Sequence, residues 1–179
     1  MSRLPAVNRE VLAPENQEIW DNIAAVRPGM RGPYGVLMHV PALAARVAAL
    51  EDYFRFDAAL SEVDRELIVL ATVREMGARY AWARHELRGR EVGIPAETID
   101  TLRANGTVDN LAPRERLIVE VVRTLIGTRG LPDALYARAQ DELGRQQLIE
   151  LVALVGHYNL VGFLLNGFEV PPPAEGPNF

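Results

Sequence analysis

Cysteine is absent from all 179 residues. Without it there is no disulfide, no thiolate nucleophile and no Cys-ligated zinc or iron–sulfur centre, and the composition suits the cytoplasm, the compartment expected for this chain. Long basic runs are missing too. The net charge is −5 and the arginines are scattered, so the cationic stripe that displaces counterions from a phosphate backbone is not present and no nucleic-acid partner is expected. Histidine is scarce. His39, His85 and His157 stand far apart without the paired spacing of a metal site, so neither a metal nor another cofactor is expected. Glycine-rich phosphate motifs are lacking, since "RPGMRGPYG" has the wrong spacing and follows no strand. The N-terminal "MSRLPAVNREVLAPENQ" has no continuous apolar stretch and does not read as a signal peptide. The longest apolar run, "LIELVALVGHYNLVGFLLNGF", is interrupted by Glu150, His157, Asn159 and Asn166. It reads as a buried helix rather than a membrane span, and no membrane partner is expected.

Helical signals fill what remains. "APENQEIWDNIAAVR" has Pro14 in its first turn and Ile19, Ile23 and Val26 at helical spacing. In "RPGMRGPYGVLMHVP", Pro28, Gly29, Gly32, Pro33 and Gly35 block regular structure until Pro41 opens the alanine-rich "PALAARVAALEDYFRFDAAL". "SEVDRELIVLATVREMG" begins with Ser61 and Asp64, close to a capping box, and ends at Gly77. "ARYAWARHELRGREVG" closes at Gly93, and Pro95 starts "PAETIDTLRANG". "APRERLIVEVVRTLIGT", "LPDALYARAQDELG" and a last helix from about Arg145 to Val170 complete the set. The pattern predicts an all-α bundle of about eight helices and one domain over 1–179, with its core at about 36–170. "PPPAEGPNF" cannot continue a helix, so 171–179 is expected to be a mobile tail or an arm. "DRELIVLATVRE" and "PRERLIVEVVRT" echo each other, as duplicated units or as two amphipathic helices with charged first turns.

Chemistry concentrates around "MGARYAWARHE". The helices on either side of Gly77 are joined by almost no loop and should run antiparallel. Glu66 lies eleven residues before Gly77 and His85 eight after it. At 1.5 Å per residue these are about 16 Å and 12 Å from the turn, nearly level. A carboxylate facing an imidazole is an acid–base pair, because histidine titrates near neutrality and the carboxylate fixes its tautomer. The same residues could instead serve the helix dipole and a surface ion pair. Ala81 shares the His85 face and leaves space beside it, while Tyr80 reaches that region only from an adjoining face.

The stretch "DRELIVLATVREMGARYAWARHELRGREVGIPAETIDTLR" resembles the core of the carboxymuconolactone decarboxylase family, which includes the alkyl hydroperoxidase D-like proteins. The resemblance covers about residues 36 to 105 and continues loosely into "GHYNLVGFLLNGFEV". The peroxidase branch carries a glutamate, two cysteines and a histidine at set spacing. On this chain the glutamate falls on Glu66, the histidine on His85, and the cysteines on Ala78 and Ala81. Both thiols are gone, so peroxide reduction by a cysteine pair is excluded. The decarboxylase branch needs no cysteine.

What the resemblance implies is a cofactor-independent enzyme performing decarboxylation or isomerisation on a small carboxylated or lactone-like organic acid. His85 is then general acid or base, Glu66 its orienting carboxylate, and Tyr80 and Arg84 substrate contacts. Arg84 could clamp a carboxylate bidentately, Trp82 could wall an aromatic pocket, and His157 and Tyr158 could close it. His39 sits in a Gly/Pro-rich segment of the sort that covers sites. The alternative is a non-catalytic oligomeric remnant that binds a small molecule. A homo-oligomer, a trimer or hexamer, is expected with either, since apolar helix faces such as "LVGFLLNGF" are plentiful for a chain of 179 residues.

Overall fold

The computed structural model describes residues 2–5, 7–27 and 30–179; Pro28 and Gly29, two of the expected helix breakers, lie outside the described residues. Eight α-helices and no strand occur among the described residues: α1 (Pro14–Val26), α2 (Pro33–Leu37), α3 (Pro41–Asp52), α4 (Glu62–Glu75), α5 (Arg79–Glu91), α6 (Ala96–Arg103), α7 (Pro113–Thr128) and α8 (Asp133–Gly167). The all-α expectation holds. One element was not anticipated. The Gly/Pro segment before Pro41 contains the short helix α2, because Pro33 at its first position is pre-set for helical φ and Tyr34, Val36 and Leu37 bury themselves. Gly32 makes the entry with φ 65° and ψ −129°, a conformation that L side chains rarely adopt.

α4 is the axis of the molecule. Leu67 through Val73 are all buried, the pattern of a helix enclosed on every side, and it packs against α5, α7 and α8. Ser61 caps it by accepting from the Asp64 backbone N–H at 3.1 Å, while the Asp64 carboxylate takes Arg114 of α7 at 2.9 Å. At the other end Glu75 pairs with Arg123 at 3.1 Å. Start meets start and end meets end, so α4 and α7, the two echoing segments, lie side by side and parallel. The echo stops short of a second site. Glu115, the counterpart of Glu66, accepts instead from the Thr98 hydroxyl at 3.0 Å.

α3 runs directly into one turn of π-helix, Tyr53–Asp57. Buried Glu150 of α8 holds the residues that follow, accepting from the backbone N–H groups of Ala59 at 2.9 Å and Leu60 at 3.2 Å and from the Tyr53 hydroxyl at 2.9 Å. α8 breaks at Gly144, whose φ of 72° and ψ of 171° are not helical, at the division expected between "LPDALYARAQDELG" and the last helix. By length and composition α8 could cross a membrane, with mean hydropathy 1.8 in its most apolar window, but 56% of that window is buried inside the protein. The C-terminal segment is an arm rather than a loose tail. Phe179 meets Trp82 edge-on at 5.2 Å, and the Arg74 guanidinium lies 4.4 Å above its ring, so an aromatic anchor offsets the entropy of ordering the chain.

Candidate active site

Gly77, at φ 63°, turns the chain between α4 and α5, and the Ala78 N–H returns to the Val73 carbonyl at 2.9 Å. The hairpin brings Glu66 and His85 to the same level, with His85 Nδ1 donating to Glu66 Oε2 at 2.7 Å. That bond places the imidazole proton on Nδ1 and leaves Nε2 as an acceptor. Tyr158 of α8 supplies the donor, its hydroxyl 3.1 Å from Nε2, with the two rings at 89°. Glu66, His85 and Tyr158 form one unbroken hydrogen-bonded line.

Burial by itself would raise the Glu66 carboxyl. The adjacent His85, its hydrogen bond, Arg88 and Arg65 outweigh that and hold Glu66 below its ordinary value, so it is ionised. Burial, reinforced by Glu51 and Glu66, pushes the Tyr158 phenol well above its ordinary value, so it stays protonated.

A cleft of about 10 Å³ opens beside this line, room for about one water molecule. Its walls follow helical spacing. Glu51, Phe54 and Arg55 come from the end of α3 and the π-turn, and Arg65, Glu66 and Val69 from α4. Arg88 of α5 and Leu154 and Tyr158 of α8 complete it. A π-turn at such a place is common at functional sites. The two ends of the hydrogen-bonded line, Glu66 and Tyr158, face the cleft, whereas His85 sits between them and is not part of the wall.

A second polar cluster adjoins the first. Glu51 accepts from the Tyr34 hydroxyl at 2.7 Å and from Arg55 at 2.8 Å, with Arg27 Nε at 3.2 Å. Burial would raise its carboxyl, but Arg27 and the Tyr34 hydrogen bond hold it below the ordinary value. Burial keeps His157 below its ordinary value, and among the described residues its Nε2 has no hydrogen-bond partner. Its ring lies 5.9 Å from Phe54 and 5.3 Å from Tyr158.

The structure thus brings together Glu66, His85 and Tyr158, with His157 alongside. Four other expected residues lie elsewhere. Tyr80 is packed under Gly32, where a Cβ would stand 2.4 Å from its ring. Trp82 is fully buried and donates to Glu86 at 2.8 Å, an acid that also binds Arg90 and Arg103. Arg84 is exposed and outside the cleft. His39 is exposed, its Nε2 3.0 Å from the Pro5 carbonyl oxygen. Sequence reasoning missed Glu51, Arg55, Arg65 and Arg88. Only Arg88 left a signal, standing three residues after His85 on the same helical face. Among the described residues no three His, Asp or Glu side chains gather as metal ligands.

Residues 41–124, a stretch that includes the whole α4–α5 hairpin, match the model of the carboxymuconolactone decarboxylase family. The uncharacterized protein YdfG of Bacillus subtilis (strain 168) is 26% identical over 112 residues, 62% of this chain and 76% of YdfG. Among solved structures, an uncharacterized peroxidase-related protein from Ralstonia eutropha JMP134, with the alkylhydroperoxidase AhpD core, matches at a TM-score of 0.79. Identity there is 20%, covering 97% of this chain and 93% of that one. An uncharacterized peroxidase-related protein from Silicibacter sp. TM1040 matches at 0.76 with 16% identity and the same coverage. These likenesses establish the AhpD-like fold.

Proposed function

We propose that the protein is a cofactor-independent enzyme carrying out proton-transfer chemistry, decarboxylation or isomerisation, on a small carboxylated or lactone-like organic acid. The observation that carries this reading is the line from Glu66 through His85 to Tyr158, with both ends on one cleft. It shifts the roles expected from the sequence. Ionised Glu66 is the base that takes a proton from substrate, protonated Tyr158 is the acid that donates to a developing enolate oxygen, and His85 holds both in place, its Nδ1–H on Glu66 and its Nε2 toward the Tyr158 hydroxyl. Thiol peroxidase chemistry has no nucleophile here, because Ala78 and Ala81 are buried alanines. The enzyme works as a homo-oligomer, trimer or hexamer, and the lack of cysteine suits the cytoplasm.

The test is proton exchange. Carboxylated unsaturated lactones and their ring-opened diacids are incubated in heavy water, with deuterium incorporation and product formation followed by NMR. Wild type is expected to incorporate deuterium into at least one of them. Glu66→Gln and His85→Asn should each lose about 10²–10⁴-fold, the usual worth of a positioned acid or base, and the double variant should lose no more than the worse single one. No exchange by wild type, or exchange indifferent to both substitutions, overturns the reading.

A further inference from the structure

The cleft wall contains three guanidinium groups, Arg55, Arg65 and Arg88, against two carboxylates, Glu51 and Glu66. The wall therefore carries a net positive charge in a chain whose overall net charge is −5. The three arginines are not equally engaged. Arg55 is bound to Glu51 at 2.8 Å, and Arg65 donates to the Arg55 carbonyl at 3.3 Å and to Glu66 Oε1 at 3.5 Å. Arg88 is half-buried and, among the described residues, its guanidinium has neither a hydrogen bond nor an ion pair. It stands one turn beyond His85, and its charge is felt by both Glu66 and Tyr158, the two ends of the hydrogen-bonded line. A planar group with five donors at the wall of a cleft, and no partner of its own, matches the two oxygens of a carboxylate.

We propose that Arg88 is the anchor for a substrate carboxylate and so sets the specificity of the site for small organic anions, with Arg65 and Arg55 supplying the supporting positive field. The proposal rests on the acid–base reading of the same cleft and deepens it. The cleft as it stands holds about one water, so substrate enters by displacing side chains, and the long stems of the arginines are the walls best able to withdraw. A carboxylate paired with Arg88 is stabilised as the anion and is not the group that departs as carbon dioxide. The anchored carboxylate is therefore a spectator. The reacting carbon lies apart from it, next to Glu66 and Tyr158, so the substrate is either a monoacid undergoing a proton shift or a diacid losing its other carboxyl group.

Binding is tested without turnover, by calorimetry in low-chloride buffer with 2-furoate as probe and 2-furamide as its uncharged isostere. Wild type should bind 2-furoate in the millimolar range or tighter, and 2-furamide at least about tenfold more weakly, the worth of one charge-assisted hydrogen bond. Arg88→Gln should erase that preference, Arg88→Lys should keep part of it because charge remains without the fork, and Arg79→Gln, an exposed position at the start of the same helix, should leave it unchanged. Circular dichroism checks each fold, and Arg88→Lys carries the test if Arg88→Gln does not fold. Equal binding of both probes, no binding of 2-furoate by wild type, or 2-furoate binding unaffected at Arg88 overturns the proposal. None of these results touches deuterium exchange at Glu66 and His85, so the acid–base reading fails or stands separately.

Discussion

Both nitrogens of the His85 imidazole are engaged, one by an anion held ionised and one by a phenol held protonated. Tyr158→Phe keeps the ring and removes only the donor. The lost hydrogen bond should cost about 0.5–1.5 kcal/mol of stability, whereas turnover of a substrate found by the exchange screen should fall about 10²–10⁴-fold. Urea unfolding beside steady-state kinetics checks this, and a kinetic loss no larger than the stability loss would remove Tyr158 from the chemistry. His157 behaves differently. Its value is held down by burial, with Glu51, Arg27 and His85 as the charged or titratable groups around it. The folded ring refuses a proton that the unfolded chain accepts, so its contribution is complete above the ordinary histidine value of about 6.5 and is lost as pH falls below it toward the lowered folded value. Glu51 and Glu66, also held below their ordinary values, lose their contributions only further down, below the ordinary carboxylate value of about 4.3. His157→Leu also deletes the buried orphan nitrogen. Thermal melts from pH 7 to pH 5 should therefore show a smaller fall for the variant than for wild type; parallel falls would refute this.

At the scale of helices, the α4–α5 hairpin was legible because two helices joined by only three residues, Met76 to Ala78, leave a single register, and counting from Gly77 puts Glu66 opposite His85. The break at Gly144 was legible for a similar local reason, a glycine where one helical pattern stops and another begins. α2 was not, since a five-residue helix hidden among prolines and glycines is held by tertiary burial rather than by propensity. The arginine wall was out of reach for a third reason: Arg55, Arg65 and Arg88 come from three separate elements and meet only once these are packed. Tyr80 was misplaced by the same ignorance of α2, whose entry at Gly32 covers it. That contact yields a prediction about the element. Gly32→Ala forces a side chain into a glycine conformation and brings a Cβ to 2.4 Å from the Tyr80 ring. Strain of this kind costs about 1–3 kcal/mol. Gly127→Ala, helical and with nothing within 4 Å of the added Cβ, should instead be neutral or gain up to about 1 kcal/mol. Chemical denaturation of the pair checks both signs, and similar midpoints for the two variants would mean that the α2 entry bears no strain.

For the molecule as a whole, α8 presents two apolar faces, and only one of them is covered. Leu151, Leu154, Tyr158 and Leu165 point inward and are buried. Ile149, Val152, Leu160 and Phe163 point outward at helical spacing, with Ile149 62% and Phe163 67% exposed. A helix apolar on every side is normally enclosed on every side, and contiguous exposed apolar surface of this kind marks an association site. A second copy of the chain is the occupant proposed, giving the trimer or hexamer. The cleft wall on α8, Leu154 and Tyr158, lies on the inward face, away from the outward stripe. Association should therefore matter to stability more than to binding. Light scattering at micromolar concentration should return a trimer or hexamer for wild type. Phe163→Glu, which sets a charge in the middle of the outward stripe, should shift the protein to a smaller species with a lower melting temperature. The affinity for 2-furoate should stay the same within about twofold, far less than the tenfold step of a lost charge-assisted contact. A monomeric wild type would show that the outward face has no self-association to perform, and a variant that dissociates and loses the anion as well would show that the site is completed across the interface.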